Sequence, residues 1–330
     1  MLCGSPVTEM AVSPVSIVTV PVLVTFALLI KTVTSEILVL ISFILLPRGH
    51  FNQEGKLIQS RRVYFHRGQW DNFAMREEAC RVAGNQVVSG NYYLMKIESE
   101  YISGACEPGN FVMIAVSDGN DPLLKRPFGI FRKESPYFYI YYEVVGRGSE
   151  RLAMKTEGDR LMVIGPLGNT FPEYKNENIL LIGGGRGIAP LYFAAEKYSR
   201  SNTVSLVYGA RSSGDLLFTD ELNAFPLKET AFYTDDGSGF RKGSVTTDLK
   251  EIIKKNRVNV TFSCGPDRMF ESLNTAIGGL GINNFVSLEA FMGCGFGICY
   301  SCVVRGVDGK YKKVCTDGPV FRMEEIEWPT

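Results

Sequence analysis

Four cysteines near the C-terminus carry the densest chemistry in this 330-residue chain. Cys294, Cys299, Cys302 and Cys315 follow one another as C-x4-C-x2-C-x12-C, in FMGCGFGICYSCVVR and then KVCTDGPVF. Four thiolates at that spacing suit a [2Fe–2S] cluster. Glycines at 293, 295 and 297 let a tight loop come close to an iron–sulfur core without Cβ contacts, and their amides are free to face its sulfides. Zinc is the alternative. It usually takes two short cysteine knuckles, whereas here one crowded loop carries three ligands and a lone partner follows.

A cluster of this kind passes one electron at a time, and a nicotinamide exchanges a hydride. A flavin must stand between them, and the chain offers a place for each. For the nicotinamide nucleotide, GGGRGIAPL holds Gly183, Gly184, Gly185 and Gly187 directly after the buried run ILLI, at the start of a helical pattern. A glycine turn there admits a pyrophosphate to the positive end of a helix. In SCGPDRM, Cys264, Gly265 and Pro266 end another strand, and ligands of such sheets lie beyond the carboxyl ends of the strands. Read on its own, Cys264 is a small buried core residue. For the flavin, LLKRPFGIF offers Arg126 as a diphosphate clamp beside the stiff Pro127. VVGRGSERL and IGPLGNTF add turns with free amides. Alone, RPFG is more often a surface turn than a cofactor site.

Those residues need elements to hold them. From Val82 to Val144 the chain is rich in β-branched and aromatic residues, broken by turns such as EPGN and SDGNDP, which predicts an antiparallel barrel or sandwich. From Asn178, buried strands alternate with helices four times, which predicts an open parallel α/β sheet. Beyond Asn284 a short block without long helices carries the clustered cysteines. The expected divisions are 1–74, 75–174, 175–283 and 284–330.

Composition narrows the class. Lys+Arg and Asp+Glu both total 35, so no bulk charge favours nucleic acid. The only histidines, His50 and His66, precede the main body, which argues against histidine catalysis there. Cys3, Cys80, Cys106 and Cys264 are scattered singly, a usage that suits a reducing compartment.

The first seventy residues differ. Residues 11–30 carry no charge, and a second apolar run ends at Pro47. By length the first run suffices to cross a bilayer. A true anchor would leave the main body cytoplasmic, because the basic residues follow it. The favoured reading is translation from the wrong start, with Met75 opening the natural chain; an anchor across 11–47 or a processed leader are the alternatives.

Taken together, the segments from about Glu77 onward resemble the electron transfer subunits of dihydroorotate dehydrogenase, within the ferredoxin–NADP reductase-like superfamily. DPLLKRPFGIF, YYEVVGRGSERL, GPLGNTF, LLIGGGRGIAPL, YTDDGS, SCGPDRM, CGFGICYSCVV and VCTDGPVF stand in the family's order. The resemblance implies a β barrel plus α/β architecture: an antiparallel Greek-key barrel for FAD, a Rossmann-like parallel sheet for NAD(H), and a small C-terminal [2Fe–2S] domain. It implies flavin contacts from Arg126, Pro127, Phe128, Gly129, Tyr141, Tyr142, Glu143, Gly148 and Ser149. It also implies an FMN-containing catalytic partner, two copies of each subunit, and a cytoplasmic place in pyrimidine synthesis. No acid–base pair or nucleophile suited to dihydroorotate is visible here, as expected if the partner does that chemistry. Glu289 is either near the flavin or on a surface strand, and Arg211, Ser212 and Ser213 stand where an adenosine ribose or a 2′-phosphate would lie.

Three positions depart from the family. Gly129 replaces a usual Ser, Glu143 replaces a usual Lys or Arg, and Arg186 interrupts the glycine turn and is read as pointing to solvent. Related subunits of NADH-dependent ferredoxin:NADP oxidoreductases and sulfide dehydrogenases share the three blocks, with an aspartate in place of the first cysteine; Cys294 favours the dihydroorotate system. A non-enzymatic iron–sulfur sensor with a decayed flavin site is a further reading.

Overall fold

The structure, a computed structural model, describes residues 75–117, 119 and 121–328. The readings made for residues 1–74 lie outside it. Among the described residues no helix is long and apolar enough to cross a membrane.

The first half is a closed antiparallel barrel. Its strands are β1 (Arg76–Ser89), β2 (Tyr92–Glu98), β3 (Phe111–Ile114), β4 (Arg126–Glu134), β5 (Tyr137–Glu143) and β6 (Arg160–Leu167), joined in the order β1-β2-β5-β4-β3-β6. Helix α1 (Glu100–Ala105) leads from β2 towards β3, and α2 (Arg147–Ala153) follows β5. Alternation along β5 shows why the barrel closes. Phe138, Ile140 and Tyr142 point inwards and pack with Cys80, Val82, Met95 and Ile97, as a period of two requires. Tyr141 points outwards and is still buried, because another layer covers that face.

That layer belongs to the second half. It contains β7 (Asn178–Gly184), α3 (Ile188–Tyr198), β8 (Thr203–Ala210), α4 (Thr219–Ala224), β9 (Glu229–Thr234), β10 (Arg241–Lys242), α5 (Leu249–Asn256), β11 (Val260–Cys264), α6 (Asp267–Ile277) and β12 (Asn283–Ser287). The sheet order is β10-β9-β8-β7-β11-β12, all parallel, with one further strand from the C-terminal segment beside β12. Residues 179–183 of β7 are buried without a break, as expected for a strand covered on both faces. Strand order turns back between β7 and β11, so the switch point lies there.

The cysteine segment is carried between two strands of this sheet. After β12 come the loop, the hairpin β13 (Val303–Arg305) and β14 (Tyr311–Lys313), and then β15 (Val320–Arg322), which returns antiparallel onto β12.

Barrel and sheet meet along α3 and β4. Phe131 stacks on Tyr192 with ring centroids 4.2 Å apart, and Phe218 packs on both Phe131 and Tyr141. Each such aromatic pair contributes about 0.5–1.5 kcal/mol beyond its buried area. At one edge of the seam Glu107 accepts from Lys197 at 2.7 Å and Lys133 at 3.1 Å. Burial opposes charge on Glu107, but the two lysines outweigh it and hold the carboxyl below its ordinary value.

Candidate functional site

The hairpin explains the long cysteine spacing. Val303 pairs with Lys313, and Val314 donates to the Cys302 carbonyl at 2.9 Å. The twelve residues between Cys302 and Cys315 are therefore a turn out and back that returns the second thiol beside the first. Cys302 and Cys315 are buried, Cys294 is half-buried and Cys299 is exposed. Cys294 acts electrostatically on Cys299, and Cys302 and Cys294 both act on Cys315, so the four thiols share one neighbourhood. Among the described residues no three His, Cys, Asp or Glu side chains are gathered as a ready-made site for one metal ion. Three thiols on one crowded loop and a fourth returned by the hairpin suit a two-iron cluster better than zinc, which usually takes two short knuckles.

Electrostatics in the loop differ from thiol to thiol. At Cys299 burial favours the thiol, yet hydrogen bonds from Ser301 and Cys294 outweigh it and bring the group down to about 6. At Cys315 burial, then the neighbouring Cys302 and Cys294, push it up to about 12. The Phe296 amide donates to the Cys294 sulfur at 3.5 Å, so at least one loop amide points at a ligand sulfur. Gly295 has φ +84°, and a Cβ there would overlap the Met113 side chain, with Sδ at 3.0 Å. A side chain at this position would lift the loop off the barrel.

That contact sets the distance to the flavin residues. Met113 lies on β3 and pairs with Pro127 on β4. The RPFG segment is thus the strand next to the one the cysteine loop touches, a separation of about 4.8 Å between strands. Arg126, Pro127, Phe128 and Gly129 are all half-buried on β4. Gly148, at the start of α2, sits against the Arg126 guanidinium, where a Cβ would stand 2.7 Å from Nε. Among the described residues no carboxylate lies within ion-pair distance of Arg126. A half-buried cation without a carboxylate, beside a glycine turn, fits a diphosphate. The Ser149 hydroxyl is engaged locally: it accepts from the amides of Val145 at 2.9 Å and Gly146 at 3.2 Å, and donates to the Gly146 carbonyl.

Tyr141 and Tyr142 take opposite faces. Tyr142 turns into the barrel and donates to Asn85 at 3.0 Å, while Phe128 meets its ring edge-on. Tyr141 turns out towards Tyr92 and Phe218. A cofactor lying along one side of the strand meets only one of the two side chains. Gly129 has open space where a Cβ would stand, so the missing hydroxyl is not replaced by a neighbour.

The nucleotide residues converge at the switch point. Gly183, one residue before the end of β7, stands opposite Cys264 at the end of β11. Gly184 lies against Pro266 and Met269, and the turn Gly185–Gly187 opens α3. No side chain caps either the turn or the start of α3, which leaves helix amides for an anion. Burial, reinforced by the Glu289 carboxylate, pushes the Cys264 thiol far up, so it stands as a protonated group. Glu289 itself is exposed.

Arg186 does not simply point to solvent. It forms an ion pair with Glu143 at 2.7 Å, so the two charged departures from the family neutralise each other across the seam. Sequence reading also missed Asn169, which accepts from the Val320 amide and donates to the Asp317 and Val320 carbonyls, tying GPLGNTF to the cysteine segment. An asparagine beside a glycine turn was the one available signal. Of two surface hollows, one of about 400 Å³ lies away from the site, lined by residues such as Thr246 and Ser272, and one of about 330 Å³ lies beside this tie, lined by Asn169, Asp317 and Arg322. The thiols and glycine turns, not the depth of a cleft, mark the site.

Residues 289–327 match the iron–sulfur cluster binding domain of dihydroorotate dehydrogenase B, and 181–275 match an oxidoreductase NAD-binding domain. The chain is 37% identical over 256 residues to the electron transfer subunit homolog of dihydroorotate dehydrogenase B (NAD(+)) from Aquifex aeolicus, covering 76% of this chain and 99% of the relative. The chain belongs to the family of dihydroorotate dehydrogenase B electron transfer subunits. The Bacillus velezensis member is 36% identical over 260 residues, again 76% of this chain and 99% of the relative. Among solved structures, a chain from the NADH-dependent reduced ferredoxin–NADP oxidoreductase superposes with a TM-score of 0.67 at 30% identity, over 76% of this chain and 90% of that one. A ferredoxin–NADP+ reductase from Neisseria gonorrhoeae shares the fold, with a TM-score of 0.53 at 16% identity over 62% and 92%. The expected barrel, parallel sheet and cysteine-bearing end are those of the dihydroorotate dehydrogenase B electron transfer family.

Proposed function

We propose that this chain carries electrons between an FMN-containing dihydroorotate dehydrogenase catalytic subunit and NAD+, through a [2Fe–2S] cluster held by Cys294, Cys299, Cys302 and Cys315 and an FAD held by the barrel. The observation that carries the reading is the seat of the cysteine loop on β3, one strand from Arg126–Gly129. When bound, the flavin exchanges a hydride with nicotinamide and single electrons with the cluster.

The chain's own residues do the positioning. The four thiols would hold the irons, and the exposed edge at Cys299 is where a partner would come near. Arg126 clamps the flavin diphosphate, with Phe128 and one of the two tyrosines flanking it. The glycine turn 183–187 and Cys264–Pro266 receive the dinucleotide at the switch point. The seven described cysteines are free thiols, which suits the cytoplasm. Two copies would join a dimer of the catalytic subunit.

The test is reconstitution of the full chain with an FMN-type dihydroorotate dehydrogenase under anaerobic conditions. Dihydroorotate-dependent NAD+ reduction that requires both proteins supports the proposal; equal rates without this chain refute it. The likeness to the NADH-dependent reduced ferredoxin–NADP oxidoreductase supports a second reading, in which reduced ferredoxin is the donor. Replacing dihydroorotate by reduced ferredoxin in the same assay separates the two.

A further inference from the structure

We propose that Arg186 positions the diphosphate of a bound dinucleotide, and that Glu143 holds the guanidinium until the nucleotide takes it over. The inference rests on the reading of residues 181–275 as the nucleotide-binding unit.

Arg186 is the middle residue of the turn Gly185–Gly187, at the carboxyl end of β7 and beside the switch point. Amides at the start of α3 that no side chain caps lie next to it. An anion drawn to those amides arrives within reach of the guanidinium. Yet the guanidinium is drawn sideways, out of the α/β unit, to the Glu143 carboxylate at the end of β5. The carboxylate is anchored independently from the barrel: its other oxygen accepts from Asn91 Nδ2 at 3.1 Å. Glu143 therefore stays in place if Arg186 leaves. Nearby, Tyr92 donates to Asp215 at 3.4 Å.

The pair is open to competition. The Arg186 side chain is 45% exposed and Glu143 24%, and half-exposed ion pairs are weak. A diphosphate offers more negative charge than one carboxylate and accepts the planar guanidinium fork. Dinucleotide binding then exchanges one partner of Arg186 for another. It also leaves Glu143 with Asn91 alone, which loosens the tie between barrel and turn at the moment the site fills.

A mere brace and a competing latch predict different signs. Isothermal titration of the purified full chain with ADP-ribose, which carries the diphosphate without nicotinamide, reads the difference. Arg186→Gln is expected to weaken binding about tenfold or more, the loss of one charge-assisted contact. Glu143→Gln is expected to tighten it about two- to fivefold, because the competitor has gone. Arg186→Lys should recover part of the loss, and melting curves confirm that each variant is folded. If both glutamine variants move in the same direction, or neither moves, or lysine recovers nothing, the latch is overturned while the nucleotide reading stands. If the unaltered chain binds neither ADP-ribose nor NADH, the nucleotide reading falls and the latch with it.

Discussion

Replacing Gly187 by alanine asks how tightly the switch point is built. Its φ of −61° is ordinary for any residue, so the substitution has no backbone strain of its own. The obstacle is space: a Cβ there would overlap the Cys264 carbonyl and stand 2.6 Å from the Gly265 nitrogen, where ordinary contact begins at 3.4 Å. The neighbours are backbone and cannot rotate away, so the ends of β7 and β11 must part by more than 3.4 − 2.6 = 0.8 Å, because the Cys264 carbonyl lies closer still. Overpacking of that kind falls at the upper end of the usual range, about 3 kcal/mol. Gly185 two residues earlier is the control. It has φ +52° and nothing within 4 Å of a Cβ, so alanine there meets only the left-handed backbone cost, about 1–2 kcal/mol. At about 2–4 °C per kcal/mol, thermal unfolding followed by circular dichroism should show Gly187→Ala lowered by about 6–12 °C and Gly185→Ala by about one third to two thirds as much. An equal or larger loss for Gly185→Ala would refute the argument that close strand packing fixes this turn.

Other substitutions test neighbouring parts of the account. Cys302→Ser should abolish stable iron binding while Cys264→Ser leaves it intact, read as iron per chain; equal retention in both would exclude the four-cysteine centre. Tyr142→Phe leaves the Asn85 carbonyl oxygen without its donor and should lower stability by about 1–3 kcal/mol, measured by urea titration; no loss would mean that the bond contributes nothing. Gly129→Ser meets open space and removes a glycine from a strand, so stability should hold or rise by about 0.5–1 kcal/mol, with slower flavin loss on dilution. The Glu107 carboxyl lies below its ordinary 4.5 in the folded state. Its contribution is therefore present above 4.5 and disappears as pH falls through the lower, folded value. In Glu107→Gln the acid-side fall in melting temperature should be shallower than in the unaltered chain; parallel curves would remove the lysine pair as its cause.

Particular residues show how far the sequence could be read. The four cysteines stood out by their C-x4-C-x2-C-x12-C spacing, whereas the hairpin that brings residue 315 back to 302 did not, because its strands are three residues each. Gly183 and Cys264 were legible because buried strands ending in glycine or in SCGP mark the ends of parallel strands. Grouping Tyr141 with Tyr142 overlooked a period of two that was present in the sequence. The Arg186–Glu143 pair gave no local signal, since its partners lie 43 residues apart and meet only because the barrel packs against α3. Strand β15, at three residues, is too short for a pattern, and its place against β12 follows from tertiary packing alone.

The central claim is a relay within this one chain, and anaerobic purification of the full chain tests it most directly. Iron, sulfide and flavin would be counted and the visible spectrum recorded before and after NADH is added. The account predicts about two irons per chain together with bound FAD, and bleaching of both chromophores by NADH. Iron without flavin, or a full complement that NADH leaves unchanged, would contradict it.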